Sequence, residues 1–351
     1  MNQFFTNTLS LFAVTCATLA PLVASADDAP APGAHAASED VRRYDLRGPS
    51  LRVGHTQTLV TRTTLKNRVN MTLAGQRQRG RANLKEYQQL AFTIDALDGE
   101  DVVQATEVTV AGSTRGTINM DGHTRTINET NDLVGVRIQT RKTPGGWSNK
   151  VLDPAPPNIE RFLGGLAFSD WRELLPAHPV AIGESWTLDD STYARNFLQV
   201  FGNLGAPADA DVEVVATLRA VKSQGNARVA RIALRQTITL NSTLSQDGKD
   251  VHMQLSISGT GTMRLNLRDY SYRMTMKGDV EIVSVVSEYG TELTKVHVEG
   301  AMKVDTDCHE ETRDERKARV SLHDDSVSHG SDPLLELNAN VVPDLLAESG
   351  D

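Results

Sequence analysis

Along the second half of the chain, from Asp211 to Val304, apolar side chains return at every second position through long stretches separated by glycine and polar turns. Val251, Met253, Leu255 and Ile257 alternate with His, Gln and Ser, and Met263, Leu265 and Leu267 alternate with Arg and Asn. A period of two is that of a strand with one dry face and one wet face. The first half shows the same alternation in shorter runs, at Val69, Met71 and Leu73, at Leu90, Phe92 and Ile94, and at Val108 and Val110. Turn signals separate them at Asp98-Gly99, Asp121-Gly122 and Pro144-Gly145-Gly146. The pattern predicts a mainly β fold built as a long curved antiparallel meander, either one continuous sheet or two related half-barrels.

One region has a different character. Pro154 to Pro179 opens with Pro156-Pro157 before Ile159, Phe162 and Leu163, then carries Phe168, Trp171, Leu174 and Leu175 at helical spacing, which predicts a helical connector packed on the sheet. A second short helix is expected near 191–201, where Tyr193, Phe197, Leu198 and Phe201 share a face. The connector divides a first β half, 44–153, from a second, 180–304. A faint internal repeat relates the two. Leu51 to Leu59 and Val180 to Leu188 share the order aliphatic, any, β-branched, Gly, any, hydroxyl, any, Thr, Leu. Gly54 and Gly183 are expected at bulges or tight entries to strands, with Trp186 completing the motif in the second copy.

The second copy lies in Leu175-Pro176-Ala177-His178-Pro179-Val180-Ala181-Ile182-Gly183-Glu184-Ser185-Trp186. This stretch resembles the Leu-Pro…Pro-Val-x-Val-Gly-x-x-Trp segment of a family of secreted bacterial β-rich proteins of unknown function. The resemblance implies an envelope location and long antiparallel strands, and it brings no catalytic residue with it. In layout alone, a long meander with helices against it is also similar to the half-barrels of lipoprotein carriers.

The ends of the chain change the picture. The first 26 residues hold no Lys, Arg, Asp or Glu, and an apolar run from Leu9 to Ala24 ends in Ala24-Ser25-Ala26, which reads as a signal peptide cut after Ala26. That run is shorter than the roughly 20 residues a membrane-spanning helix needs. Residues 27–43, rich in Ala, Pro, Asp and Gly, are expected to be a flexible leader. Of the net charge of −9, all is carried by 305–351, an acidic segment expected to be disordered, apart from a charged helix from Glu310 to Arg319. The rest of the chain has 32 acids and 32 bases. A neutral body argues against a nucleic acid partner unless a local patch contradicts it.

Candidate chemistry is sparse. Cys308-His309-Glu310-Glu311 and His323-Asp324-Asp325 with His329 are the densest groups of metal-ligating types, and both fall in the acidic segment, so no metal site and no cofactor are expected. Gly183-Glu184-Ser185 lacks the second glycine of a nucleophile elbow, and Asp189-Asp190 is expected to favour a helix entry, so no catalytic residue is assigned. Arg77, Arg79, Arg81 and Lys85 gather four positive charges in an expected loop able to meet phosphate head groups. Between 211 and 304 the aromatics are Tyr270, Tyr272 and Tyr289, too few for the girdles of a transmembrane barrel. The composite expectation is an exported, non-enzymatic binding or carrier protein of the periplasm or exterior, holding an apolar or lipid-like ligand against a curved sheet. Its alternative is a structural or interaction protein of the envelope whose sheet is plugged by its own helices and whose partner is another envelope protein.

Overall fold

The computed structural model describes residues 42–47, 51–73, 75–99, 101–144, 146–153, 172, 175–187, 208–246, 249–269, 271–288 and 291–328. Within them the elements are β1 (Arg43–Tyr44), β2 (Thr56–Leu73), β3 (Gln76–Asp98), β4 (Asp101–Met120), β5 (His123–Thr130), β6 (Arg137–Thr143), β7 (Gly146–Val151), β8 (Val180–Ala181), β9 (Ser185–Thr187), β10 (Ala208–Gln224), β11 (Ala227–Gln246), β12 (Lys249–Asn266), β13 (Tyr272–Glu288), β14 (Thr291–Glu310) and the helix α1 (Arg313–Ser328). The fold is mainly β, as the alternation predicts. β3, at 23 residues, is ~75 Å long at about 3.3 Å per residue.

The long strands form one antiparallel sheet in the order β7-β6-β4-β3-β2-β14-β13-β12-β11-β10-β9, with β5 also paired to β4. Of the two architectures expected, the sheet is the single continuous one. Its middle seam joins the first long strand to the last, with β2 and β14 paired from Gln57↔Glu310 to Leu73↔Thr294. β7 and β9 end the order without pairing to each other, so among the described residues the sheet does not close into a barrel.

Alternation decides which side chains meet. On the inward face, Leu234, Met263, Met274, Met276, Val304, Leu65 and Leu84 belong to one buried cluster that runs from β11 through to β3. Gly261 sits on the same face, where an added Cβ would fall 2.0 Å from the Met276 sulfur. The Asp121-Gly122 signal is a two-residue hairpin between β4 and β5, with φ of 47° and 86°, the left-handed pair that matches strand twist.

The internal repeat has a structural counterpart. The Gly54 amide donates to Ile94 O (2.8 Å), the Ile94 amide to His55 O (3.0 Å), and the His55 amide to Arg52 O (3.1 Å). In the second copy the Gly183 amide donates to Leu218 O (2.7 Å), the Leu218 amide to Glu184 O (3.1 Å), and the Glu184 amide to Ala181 O (3.1 Å). Beyond each turn lies a cross-strand hydroxyl pair, Thr56 with Thr93 at 2.9 Å and Ser185 with Thr217 at 2.8 Å. The register shifts just past both contact points, between Ile94 and Ala96 and between Leu218 and Ala220. Both glycines have positive φ, 82° at Gly54 and 92° at Gly183, a backbone that a Cβ strains. From the second turn the chain carries Trp186 into the core cluster.

The connector's far end ties back to the N-terminal segment. β1 pairs with β8, Arg43↔Ala181 and Tyr44↔Val180, so strand structure begins one residue before the boundary drawn at Tyr44. The Glu184 carboxylate accepts from the Ala181 amide at 3.0 Å and lies 3.2 Å from the Arg43 guanidinium. Of the helical connector expected over 154–179, Arg172 and 175–179 are described and 175–179 are not helical; the rest of the connector, the helix expected near 191–201, and the first 41 residues with the signal peptide and nearly all of the leader lie outside the described residues.

The acidic segment corrects a boundary. β14 continues through Asp305 to Glu310, six residues past Val304, and α1 extends on to Ser328, so the first half of the segment expected to be disordered is regular structure. Averaged charge hides the reason: Val304, Thr306 and Cys308 are buried on the inward face, while Asp305, Asp307 and His309 alternate with them outward. Thr312 and Glu315 form a capping box, with the Thr312 amide donating to the Glu315 carboxylate (2.9 Å) and the Glu315 amide to the Thr312 hydroxyl (3.3 Å). Glu311, buried, is held by Arg319 at 2.6 Å and Arg316 at 3.2 Å; burial alone would raise its pKa, but the two guanidinium groups keep it below the ordinary value. α1 returns against β4.

Replacing Gly183 or Gly54 by Ala is expected to cost about 1–2 kcal/mol each, because the left-handed backbone is unfavourable for a residue with a Cβ while nothing crowds the added methyl. Urea unfolding of the single and double variants checks this, and the two losses are expected to add, since the turns sit in separate parts of the sheet.

Candidate functional site

The inward face is divided along the β2–β14 seam. On the β10–β14 side it is built mainly of Val, Ile, Leu and Met, including Val212, Val214, Leu218, Ile232, Ile238, Leu255, Ile257, Met263 and Met274, with Gln236, Ser242 and Thr306 as buried polar interruptions. On the β2–β3 side the same face turns polar: Gln57, Thr61 and Thr63 of β2, and Glu86 and Gln88 of β3, are interleaved with Leu59, Leu65, Leu84 and Leu90. Both sides obey the same period of two. The difference lies in what the inward positions hold.

Several of these inward polar atoms have no partner among the described residues. Thr63 Oγ1, Asn67 Oδ1, Glu86 Oε2 and Gln236 Oε1 are buried and unbonded. Thr63 and Glu86 are cross-strand neighbours in the β2–β3 register, so two of the four share one spot, and Asn67 lies beyond Thr63 on the same face, one step past Leu65. Thr63 and Gln236 are each 2 % exposed. A buried polar group left unpaired costs roughly 1–3 kcal/mol, so an accumulation of them on one face calls for a partner. Asn67 Oδ1 and Gln236 Oε1 are amide oxygens that take a donor, whereas the Thr63 hydroxyl and the protonated Glu86 carboxyl can donate as well as accept.

Charge on this strip is suppressed. Burial pushes the Glu86 carboxyl up to about 8, so it is neutral at pH 7. Glu107, one strand further along and set between Phe92 and Ile138 in the register, is pushed by burial to about 7. Carboxyl groups whose pKa values are raised by desolvation concentrate at functional sites, and here they mark the polar half of the face.

The residues singled out from sequence are distributed differently from the expectation. Arg77, Arg79 and Arg81 are in strand β3, not in a loop, as is Lys85, and all four project from its outward face as exposed side chains, opposite the polar strip. The alternation is unbroken there because each cation takes a solvent position while Ala82 and Leu84 take inward ones. Gly54 and Gly183 form the paired turns of the internal repeat, and Trp186 is a core side chain. Trp147 packs against a small cluster of Ile94, Val102 and Ala105, and Trp171 lies outside the described residues.

Cys308 and His309 do not converge, because successive strand residues face opposite ways. Cys308 is fully buried, its thiol 3.8 Å from Gln57 Oε1 and pushed well above its ordinary pKa by burial, whereas His309 lies on the outward side between Asp307 (3.3 Å) and Glu315 (3.0 Å). The side chains of His323, Asp324 and Asp325, and all of His329 and Asp189-Asp190, lie outside the described residues. Ser185 spends its hydroxyl on Thr217. Sequence reasoning passed over Glu86 because an acid between Lys85 and Tyr87 reads as solvated; the signal available was parity, since Glu86 falls in step with Leu84, Gln88 and Leu90.

No family model and no curated protein matches the chain. Among solved structures it is similar to an outer membrane channel from Pseudomonas putida F1, at 10% identity over 74% of this chain and 96% of that one, with a TM-score of 0.25. It is also similar to an anion-selective porin from Comamonas acidovorans, at 9% identity over 71% and 99%, with a TM-score of 0.19. TM-scores this low do not establish a shared fold.

Glu86 gives the site a pH signature. Its folded-state pKa lies above the ordinary 4.5, so the folded protein holds a proton that the unfolded chain releases, and stability falls as pH rises from about 4.5 to about 8. Glu86→Gln removes that loss. Urea unfolding is expected to show the variant more stable than the parent by about 2–4 kcal/mol near pH 9 and nearly equal to it near pH 4.

Proposed function

We propose that this protein is an exported, non-enzymatic carrier of the cell envelope that holds an amphipathic, lipid-like molecule against the inward face of its sheet. The apolar chains of the ligand lie on the Val, Ile, Leu and Met surface of β10–β14, and its polar end meets the strip of β2 and β3. The observation that carries this reading is the set of buried polar atoms at Thr63, Asn67, Glu86 and Gln236 without partners among the described residues. Such atoms on an otherwise apolar face fit the sites of small-molecule binders, mostly apolar with a few placed polar groups that fix orientation. The methionines at 263, 274, 276 and 302 on the same face suit a ligand of variable chain, because an unbranched thioether side chain adapts to irregular contacts.

A neutral Glu86 fits the same ligand. A charged carboxylate would be costly in the apolar surroundings of an acyl chain, whereas the protonated acid both donates and accepts within them. Native mass spectrometry of the protein purified from a bacterial envelope tests the reading. Extra mass that is lost on denaturation, with fragments containing a long alkyl chain, is the expected result. A mass equal to the polypeptide alone, from a preparation that also fails to take up a fluorescent fatty-acyl probe, overturns it in favour of a sheet covered by its own chain. Glu86→Leu, which keeps the burial and removes the polar end's partner, is expected to retain the probe but weaken it about tenfold, the loss of one good hydrogen bond.

A further inference from the structure

The balanced charge of the chain before residue 305 conceals a strongly basic face. Across the strand registers outward from β11, one row of directly opposed positions reads Arg235, Thr260, Lys277, Lys303, Thr64, Lys85 and Arg115. Five of the seven are cations and none is an acid. The row crosses β11, β12, β13, β14, β2, β3 and β4, which at about 4.8 Å per strand makes an array roughly 29 Å wide. Its cations are exposed.

Like charges stand directly opposite one another in it and beside it. Lys277 faces Lys303, Lys85 faces Arg115, Arg68 faces Arg81, and Arg264 faces Arg231 on one side and Arg273 on the other. Directly opposed like charges in a sheet are destabilising, and opposite charges at the same positions would stabilise by roughly 0.2–1 kcal/mol each. An isolated sheet gains nothing from this arrangement. The nearby acids on the face are Asp279, two residues along β13 from Lys277, Asp305, held by Lys303 and Thr275, and Asp307, held by Arg273; Glu281 and Glu299 mark where the basic area ends.

We propose that this outward face docks on an anionic lipid bilayer, with the cations of the Arg235 to Arg115 row seated among its phosphates. The reading is independent of what the inward face holds. A broad row of exposed cations, of which Lys303 is paired with Asp305, fits a planar array of phosphates better than it fits the stacked bases of a single-stranded nucleic acid. Base stacking needs open aromatic faces, and Tyr87, the aromatic of the β2–β3 part of this face, already has the Arg62 guanidinium over its ring at 5.5 Å. α1 contacts β4, and the cations of the row remain exposed. The exclusion of nucleic acid drawn from composition loses its premise here, because the registers assemble a basic patch that net charge does not show.

Co-sedimentation with vesicles tests the proposal. The protein is expected to bind vesicles of phosphatidylcholine mixed with phosphatidylglycerol, to release from them as salt rises, and to ignore phosphatidylcholine alone. The combined variant Lys85→Gln, Arg115→Gln, Lys277→Gln and Lys303→Gln is expected to bind more than ~100-fold more weakly, from about fivefold per cation. Its Tm should equal or exceed the parent's, because the opposed charges are gone, which separates lost docking from lost folding. Lys142→Gln with Lys317→Gln, outside the row, should bind as the parent does. Absence of binding to phosphatidylglycerol vesicles, equal binding by the row variant, an equal loss in the control, or binding of a single-stranded oligonucleotide in place of vesicles would each overturn it.

Discussion

The pairing of β2 with β14 is the contact on which the rest of the molecule depends. It joins residues near the start of the described chain to residues more than two hundred positions later, from Gln57↔Glu310 to Leu73↔Thr294. Without it there are two separate meanders, each with a long unpaired edge of the kind that invites aggregation. With it, the inward side chains of both halves enter one buried cluster, and Leu65 and Leu84 share a core with Leu234 and Met276. Closing so long a loop costs entropy before any contact is gained, so the seam is expected to form late, after the local hairpins of each half.

Each strand serves two surfaces at once, and neighbouring residues take up opposite tasks. Lys85 lies in the outward basic row while Glu86, the next residue, sits inward with a carboxyl raised to about 8. Cys308 is sealed in the core while His309 meets Glu315 at the start of α1. The two faces of the sheet can therefore take up separate tasks without either set of residues touching the other. This division is what makes a carrier that works at a membrane a physically coherent reading of the molecule.

The two glycine turns show that the halves are built to one local plan. The same three backbone hydrogen bonds, the same hydroxyl pair and the same register shift occur around Gly54 and Gly183. The residues immediately beyond the two turns differ in kind. After Gly54 the chain enters β2 with Gln57 and the polar strip, and after Gly183 it delivers Trp186 into the apolar core cluster. The contrast between the polar and apolar halves of the inward face thus begins at equivalent places in two equivalent units.

The sequence by itself determined the fold class, the strand-rich halves and the glycine motif, because a period of two and a left-handed turn are local properties written in a few adjacent residues. Val251 to Ile257 and Asp121-Gly122 needed no distant partner to be read. It could not decide that the halves are one sheet, that Asp305 to Glu310 complete a strand, or that Arg77 to Arg81 lie within one, since mean charge masks alternation wherever the outward residues are acids or bases. The buried polar atoms at Thr63, Asn67 and Glu86, without partners among the described residues, and the opposed cations Lys277, Lys303, Lys85 and Arg115 were decided by tertiary structure alone. Both arise from which residues stand opposite across a register, and a register spanning more than two hundred residues is set by the global burial of one face, not by any segment's own pattern.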